Sequence, residues 1–452
     1  MRTFYVNAER GYTGATGLTE SDPVKTIAEI NTKISGSIIQ NGDRILFAKG
    51  QTFDDATLTL SLDSLTVSGY GSGDRPILDG DSARTPLVIS GDDNIVSGIS
   101  IRNGAAPGSG NDGIQLSGTA ARNTIESVDI VGGFRGISLV STPTGEDNII
   151  ENFSISGCDE SGFYTQGTGV DRIILRNGTI DGCGLTSLST SKGQALKITG
   201  TTDVQIINVA FNTITHSYLS LGEQTTEGTI LFEGCRGICR GTSSIFGVAG
   251  GDHYKHTSTS GTTTMINCAF HIENTDKVAN YIISIASGTN IVIHSSFLSS
   301  NFQNTITLAA LVVGLGTGGI QIENTIMLSR GRKHPYIGVL STCTFAGANN
   351  LYGDGDWAKG YNPTGIPGSE VDHADWVLAS NVVDDNPVHV DNFQIKGDLD
   401  TLSMTNPKDL APRTAYEANV QGGKNNTAIY THDILNQVRT SANFGIGPIV
   451  VP

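Results

Sequence analysis

A short pattern of alternating apolar and polar residues, closed by a Gly or Asn turn, recurs along most of the chain. Its copies begin at positions 94, 123, 148, 172, 204, 229, 263, 290 and 319, at intervals of 24 to 34 residues. A second alternating run lies between many of these copies, as in DGIQLSG (112–118), RGISLVS (135–141), SGFYTQG (161–167), QALKITG (194–200) and SYLSLGE (217–223). Alternation with period two is typical of strands, and no helical pattern separates them. Strands that return at this interval predict an all-β fold, the stacked coils of a parallel β-helix.

The same alternation predicts which side chains line the interior. A coil cannot bury its inward side chains alone, so neighbouring coils must stack them into one apolar column. The expected column contains Ile114, Leu116, Ile137, Leu139, Phe163, Leu196, Ile198, Leu219 and Leu221. Asn94, Asn123 and Asn148 precede equivalent strands, and we expect their side chains to stack and hydrogen-bond along the axis.

Both ends of such a solenoid need a cover, because an open strand edge invites aggregation. VKTIAEINTKI (24–34) has apolar residues at i, i+3, i+6 and i+10, which predicts an amphipathic helix over the first coil. The repeat fades after about residue 350, where several Pro residues and both Trp residues lie. We therefore divide the chain into an N-terminal cap (1–40), a β-helix (41–350) and an irregular C-terminal cap (351–452).

Charge argues against two classes of partner. The chain has 28 Lys and Arg against 44 Asp and Glu, a formal net charge of −16. Nucleic-acid binding needs clustered Lys and Arg, and an anionic membrane surface repels an acidic protein, so we expect neither partner. No apolar run reaches the length of about eighteen residues that spans a membrane. The N-terminus also lacks an apolar signal region, so we expect a protein that is secreted after removal of a signal, or that is virion-associated.

The cysteine pattern favours buried thiols over a metal site. Six cysteines are present, namely Cys158, Cys183, Cys235, Cys239, Cys268 and Cys343. Only Cys235 and Cys239 are close in sequence, and a zinc site would need a second ligand pair at usable spacing. Several cysteines end strand-like runs, which is typical of thiols stacked in a core. We expect no organic cofactor.

Several segments resemble right-handed parallel β-helix proteins of carbohydrate metabolism. The resemblance rests on TFYVNAERGYTGATGLTESDPVKTIAEIN (3–31), GDRILFAKGQTF (42–53), SGYGSGDRPILDG (68–80) and THDILNQVRTSANFGIGPI (431–449). The group includes pectate lyase-like folds, alginate lyases, chondroitinase B and phage tailspike depolymerases. It implies a right-handed parallel β-helix that acts on a polysaccharide, and a homotrimer if the chain is of the tailspike type. It does not imply one reaction, because the scaffold hosts lyases, hydrolases, epimerases and fibres without activity.

The resemblance also implies that the functional groove lies on one parallel sheet, which the second set of runs would form. Residues that flank the inward positions then face solvent. The outward polar and aromatic residues expected to form one patch are Glu160, Tyr164, Lys197, His216 and Tyr218, with Gln115 beside them and Asp112, Arg135, Asp159 and Lys192 at the turns. A slip of one residue would turn the whole set inward, so the patch depends on register.

This residue set suits β-elimination of a uronate. The reaction needs a base for the C5 proton, an acid for the leaving oxygen and a cation that neutralises the carboxylate. Lys197, next to His216, is the expected base, and Tyr164 or Tyr218 is the expected acid.

The neutralising cation has more than one candidate. Arg135 or Lys192 can supply it, or a Ca²⁺ ion held by the oxygen ligands Asp112 and Glu160. The expected substrate is thus an anionic polysaccharide.

A second polar concentration is GGDHYKH (250–256). We expect its residues Asp252, His253, Tyr254 and Lys255 to lie on a loop beside the groove and to contact substrate together with Gln115, Glu160 and Lys192. A plain surface loop is the competing interpretation.

Two other functions stay open. A glycoside hydrolase would use a carboxylate pair chosen from Asp112, Asp159, Glu160 and Glu223, and only Glu160 among these is expected to face outward on a strand. A carbohydrate-binding or fibre protein without activity would use the same sheet, with its Lys and Glu side chains merely solvated and its tyrosines as stacking platforms.

Overall fold

The computed structural model describes most of the first half of the chain and separate strands of the second half. The described residues are 1–103, 110–140, 145–167, 170–183, 194–200, 203–214, 219–221, 228–242, 254–256, 260–276, 281–285, 288–302, 310–314, 317–331, 337–339, 343–348, 350–353, 359–361, 370–372, 382–385 and 388–390. They divide into two compact units, 1–205 and 206–452.

The predicted helix is present, but it begins at Ile27 and not at Val24, which pairs with Val6 in an isolated bridge. Helix α1 spans Ile27–Ser35, because Thr26 and Glu29 form a capping box that satisfies the first amide groups of the helix. Ile27, Ile30 and Ile34 are buried, so the predicted apolar stripe is the packed face.

The first unit contains strands that are short and regularly spaced. They are β1 (Thr3–Val6), β2 (Arg44–Ala48), β3 (Thr52–Phe53), β4 (Leu58–Leu60), β5 (Thr66–Tyr70), β6 (Ile77–Asp79), β7 (Leu87–Ile89), β8 (Ile95–Ser97), β9 (Ser100–Asn103), β10 (Ile114–Ser117), β11 (Thr124–Glu126), β12 (Asp129–Gly132), β13 (Arg135–Val140), β14 (Ile149–Glu151), β15 (Ser154–Ser156), β16 (Ser161–Gln166), β17 (Ile173–Asp181), β18 (Gln194–Thr199) and β19 (Asp203–Ile214), which crosses into the second unit.

These strands pair in parallel and form three ladders that run along the stacked coils. One ladder is β1-β2-β5-β8-β11-β14-β17, and the second is β3-β6-β9-β12-β15-β17. The third is β4-β7-β10-β13-β16-β18, which we call the site sheet. The predicted parallel β-helix is therefore confirmed.

The predicted interior column is confirmed in this unit. Ile114, Ile137, Phe163 and Leu196 lie in register on neighbouring strands, and all are buried. The side chains of Leu219 and Leu221 lie outside the described residues.

The coils turn at corners that use a left-handed backbone. Ser127, Asn152 and Asn177 have φ of 52°, 54° and 56° at the same corner of successive coils. Short polar residues tolerate this conformation better than bulky ones. The next residue then points inward, as the buried Val128 and Phe153 do.

The predicted asparagine stack is also present. The backbone N–H of Asn94 donates to Oδ1 of Asn123 at 2.9 Å, and the N–H of Asn123 donates to Oδ1 of Asn148 at 3.0 Å. All three residues are buried, so the side chains satisfy backbone groups that the turn leaves unpaired.

The second unit continues the same strand pattern. Its strands are β20 (Leu219–Leu221), β21 (Thr229–Glu233), β22 (Arg236–Thr242), β23 (Tyr254–His256), β24 (Thr262–Ile266), β25 (Ala269–Asp276), β26 (Tyr281–Ile285), β27 (Asn290–His294), β28 (Phe297–Phe302), β29 (Ala310–Gly314), β30 (Gly318–Glu323), β31 (Ile326–Gly331), β32 (Ile337–Val339), β33 (Cys343–Ala348), β34 (Leu351–Gly353), β35 (Lys359–Tyr361), β36 (Glu370–Asp372), β37 (Val382–Asp385) and β38 (Val388–Val390). Except for the antiparallel pair β35 and β36, they pair in parallel.

Parallel pairing passes the predicted boundary at residue 350. Strand β34 pairs with β31, while β37 and β38 pair with β33 and β34. The C-terminal cap at 351–452 stays a prediction, and its described strands have only three or four residues.

The thiol prediction is confirmed where the structure describes it. Cys158, Cys183, Cys235 and Cys268 are free and buried. The side chains of Cys239 and Cys343 lie outside the described residues. Among the described residues, no helix is long and apolar enough to cross a membrane.

Candidate functional site

The outer face of the site sheet carries one continuous row of side chains. The row, which we call the central row, consists of Thr59, Val88, Gln115, Ser138, Tyr164 and Lys197, which are in register on successive strands. Their inward neighbours are buried, so alternation sends this row to the outer face. Gln115, Tyr164 and Lys197 are thus in the predicted register, but the expected solvent exposure of Tyr164 and Glu160 is wrong, because both side chains are buried.

Charged side chains converge on the later part of this row. Nε of Arg135 donates to Oε2 of Glu160 at 2.6 Å, and Nζ of Lys197 lies 3.7 Å from Oε1 of the same carboxylate. The Glu160 side chain is only 5% exposed, Arg135 18% and Lys197 24%. Because water is largely excluded, these charges interact more strongly than exposed pairs do.

Aromatic rings fix the position of the Arg135 guanidinium. It lies 3.8 Å from the ring centroid of Tyr164 and 5.0 Å from that of Phe134. Nζ of Lys197 lies 5.5 Å from the Tyr164 centroid. A cation over an aromatic face is attracted by the ring quadrupole, so Tyr164 orders both cations of the cluster.

Asp112 is the buried acid of the cluster. Its Oδ2 accepts a hydrogen bond from Ser138 and lies 3.9 Å from Nη1 of Arg135. Burial raises the pKa of Asp112 to about 6, while Ser138 and Arg135 oppose the shift and Glu160 adds to it. Its Oδ1 is buried and has no hydrogen-bond partner within the described part of the chain.

Tyr164 keeps its proton at neutral pH. Burial raises the pKa of the phenol, and Arg135 opposes that shift. The hydroxyl donates to Oε1 of Gln166 at 2.7 Å. The ring therefore serves as a platform for cations, and the hydroxyl as a proton donor.

The glycines beside the row, Gly113, Gly136 and Gly162, are buried, although simple alternation predicts that they face solvent. A Cβ added at Gly136 would lie 2.4 Å from Cγ2 of Ile155, and one at Gly162 would lie 2.4 Å from Cγ2 of Ile180. The strands bend inward at their first residues, so alternation fails there. Only glycine, or the Ala195 of β18, fits where the corner closes.

The residues expected to hold Ca²⁺ do not fit that ion. Both oxygens of Glu160 face cations, and Asp112 lies beside the Arg135 guanidinium. A Ca²⁺ ion would need several oxygen ligands free of such neighbours. Within the described ranges, no group of three or more His, Cys, Asp or Glu side chains lies close enough to share a metal ion.

Several expected site residues lie outside the described residues. These are Lys192, His216, Tyr218, Asp252 and His253.

Tyr254 and Lys255 were expected on a loop, and that expectation is wrong. Both belong to β23, where Tyr254 is in register with Leu219 and Ile283, and Lys255 with Ser220 and Ser284. The run Tyr254–His256 is too short for alternation to reveal the strand.

Two residues of the site were given no role from the sequence. Ser138 holds the carboxylate of Asp112, and Gln166 holds the hydroxyl of Tyr164. Alternation placed Ser138 on the outward row, but serine and glutamine are too common on sheet surfaces to stand out.

Comparison with solved structures supports the fold. Pectate lyase Pel9A is similar with a TM-score of 0.53 and 14% identity, over 99% of this chain and 96% of the lyase. An alginate lyase from Paenibacillus sp. is similar with a TM-score of 0.41 and 16% identity, over 65% and 97%. A lacto-N-biosidase from Eubacterium ramulus gives 0.41 and 11%, over 86% and 67%. No family model and no curated protein matches the sequence. The resemblance to parallel β-helix carbohydrate enzymes is thus confirmed at the level of fold.

Proposed function

We propose that the protein is a polysaccharide lyase that cleaves an acidic, uronate-containing polysaccharide by β-elimination on the site sheet. The observation that carries this proposal is the pair of cations, Arg135 and Lys197, held around Glu160 in a largely buried cluster. The two cations carry one charge more than Glu160 offsets, so while Asp112 is protonated, below about pH 6, the cluster is net positive and can receive an anionic group in a chain of net charge −16. The solved structure with the most extensive overlap given above is named a pectate lyase, which agrees with this choice.

Arg135 is the proposed receptor of the substrate carboxylate. Of its five N–H donors, the described hydrogen bonds use only Nε, which donates to Glu160. The guanidinium is held between aromatic rings, so little side-chain entropy is lost when it binds a carboxylate. Neutralising the carboxylate makes the C5 proton more acidic, which is the electrostatic part of the reaction.

Lys197 is the proposed base, and Tyr164 the proposed acid. Lys197 would leave its 3.7 Å contact with Glu160 and accept the C5 proton on its neutral amine. The electrons of the C5–H bond form the C4–C5 double bond as the bond from C4 to the leaving oxygen breaks. Tyr164, protonated at neutral pH, supplies the proton to that oxygen.

A specific observation favours a second candidate, a glycoside hydrolase. Burial keeps Asp112 protonated up to about pH 6, while Glu160 is ion-paired with two cations. One protonated and one ionised carboxyl group is the pairing that acid-assisted glycoside hydrolysis requires.

The two candidates give different products. We expect incubation with uronate polysaccharides to yield oligosaccharides with a C4–C5 double bond, seen as near-ultraviolet absorption that rises in step with reducing ends. Reducing ends without that absorption would reject the lyase in favour of the hydrolase. Binding without either product would leave a carbohydrate-binding protein.

A further inference from the structure

We propose that the site sheet binds uncharged sugars over β10 and β7, next to the uronate held at Arg135. The substrate would then be a heteropolysaccharide in which uronate and neutral sugar are neighbours, and not a polyuronate. This inference rests on the proposed function and narrows its substrate class.

The outward residues of the central row are uncharged at its start, on β4, β7 and β10. Thr59, Val88 and Gln115 lie in register on β4, β7 and β10, and all three are half-buried. None carries a charge. The cations begin one coil later, with Arg135 on β13, while the carboxyl group of Asp112, just before β10, is buried and accepts a hydrogen bond from Ser138.

The surroundings of this uncharged stretch do not supply a free cation. Ser90 and Ser117 follow the row on β7 and β10, and the charged residue next to β10, Asp112, is an acid. The connection before β7 carries Asp81 and Arg84, and the Arg84 guanidinium already donates to the backbone carbonyl of Asp54.

The spacing between coils determines which sugar of a bound polymer lies over each strand of the row. Neighbouring coils lie about 4.8 Å apart, which is close to the advance of one sugar in an extended polysaccharide. A polymer that lies along the row with its uronate at Arg135 thus places its next sugars over β10 and β7. A carboxylate over Val88 would lose water without gaining a partner, whereas a neutral sugar can bond to Gln115 and cover the valine.

The test introduces a cation into the uncharged stretch. Val88→Lys places an ammonium on the outer face of β7, and Ile95→Lys is the matched control, because Ile95 is 41% exposed on a different ladder. Each protein is titrated with a uronate homo-oligosaccharide and with an oligosaccharide whose single uronate is followed only by neutral sugars, and the ratio of the two affinities is compared.

We expect the parent protein to prefer the oligosaccharide with a single uronate. Val88→Lys should shift the affinity ratio toward the homo-oligosaccharide by on the order of fivefold to tenfold, and Ile95→Lys should not. If Val88→Lys does not fold, Thr59→Lys tests the same row one coil away. Preference of the parent for the homo-oligosaccharide, or an equal ratio in both variants, overturns the inference. Because the readout is binding, it is separate from the product test: a failed lyase assay with the expected ratio would reject only the proposed reaction.

Discussion

Replacing Asp112 with Asn should stabilise the protein at neutral pH and leave its stability unchanged in acid. Folding raises the pKa of this carboxyl from 3.8 to about 6, mainly through burial. The folded state therefore binds the proton more tightly than the unfolded state does. The contribution of Asp112 to the free energy of unfolding is therefore most favourable below about pH 4. It falls as the pH rises through about 6, where the buried carboxyl ionises.

The size of the effect follows from the pKa difference. Each pKa unit is about 1.4 kcal/mol, so the ionised carboxyl costs the fold on the order of 3 kcal/mol above pH 6. Asn cannot ionise and can still accept the hydrogen bond from Ser138. Any cost of an unpaired amide group is the same at both pH values, and therefore cancels in the comparison.

The assay is urea unfolding of both proteins at about pH 4 and about pH 8. We expect Asp112→Asn to raise the urea midpoint relative to the parent at pH 8 but much less at pH 4. Asp74→Asn is the control, because Asp74 is exposed and its replacement should not produce this pH dependence. A pH-independent difference, or a lower midpoint of Asp112→Asn at pH 8 alone, would refute the assignment of a raised pKa.

Three further outcomes are expected. Asn123→Ala removes the acceptor of the Asn94 N–H and the donor to Asn148, so the urea midpoint should fall by the equivalent of about 1–3 kcal/mol; an unchanged midpoint would show that the stack is not structural. Gly136→Ala forces a Cβ to 2.4 Å from Cγ2 of Ile155 and should destabilise by about 1–3 kcal/mol in the same assay, unless the corner can open. Exhaustive chelation should leave polysaccharide cleavage intact, measured as reducing ends; loss of cleavage that Ca²⁺ restores would contradict the cation assignment to Arg135.

Much of the fold could be predicted from period-two alternation. In-register stacking of Ile114, Ile137 and Phe163 follows from inward residues that must be covered by the next coil. The corner glycines and the strands beyond residue 350 could not be predicted, because a bend at the start of a strand and strands of three residues leave no periodic signal.

The sequence predicts which residues form the site but not which contacts their side chains make. Alternation placed Tyr164 and Lys197 on one face, which the register confirms. It could not show that Glu160 lies between two cations, or that Asp112 is buried, because both depend on how side chains cross from one coil to the next.

Turnover by a Lys197→Ala variant tests the central claim most directly. The measurement is the initial rate of near-ultraviolet absorption on a saturating uronate polysaccharide, with Lys25→Ala, another lysine of the first unit, as the control. The account predicts a loss of kcat on the order of 10²–10⁴-fold, because a positioned base contributes that much. The change in stability should be modest, because Arg135 keeps its 2.6 Å ion pair with Glu160 when Lys197 is removed. Turnover of Lys197→Ala close to that of the parent would contradict the account and remove the base from this cluster.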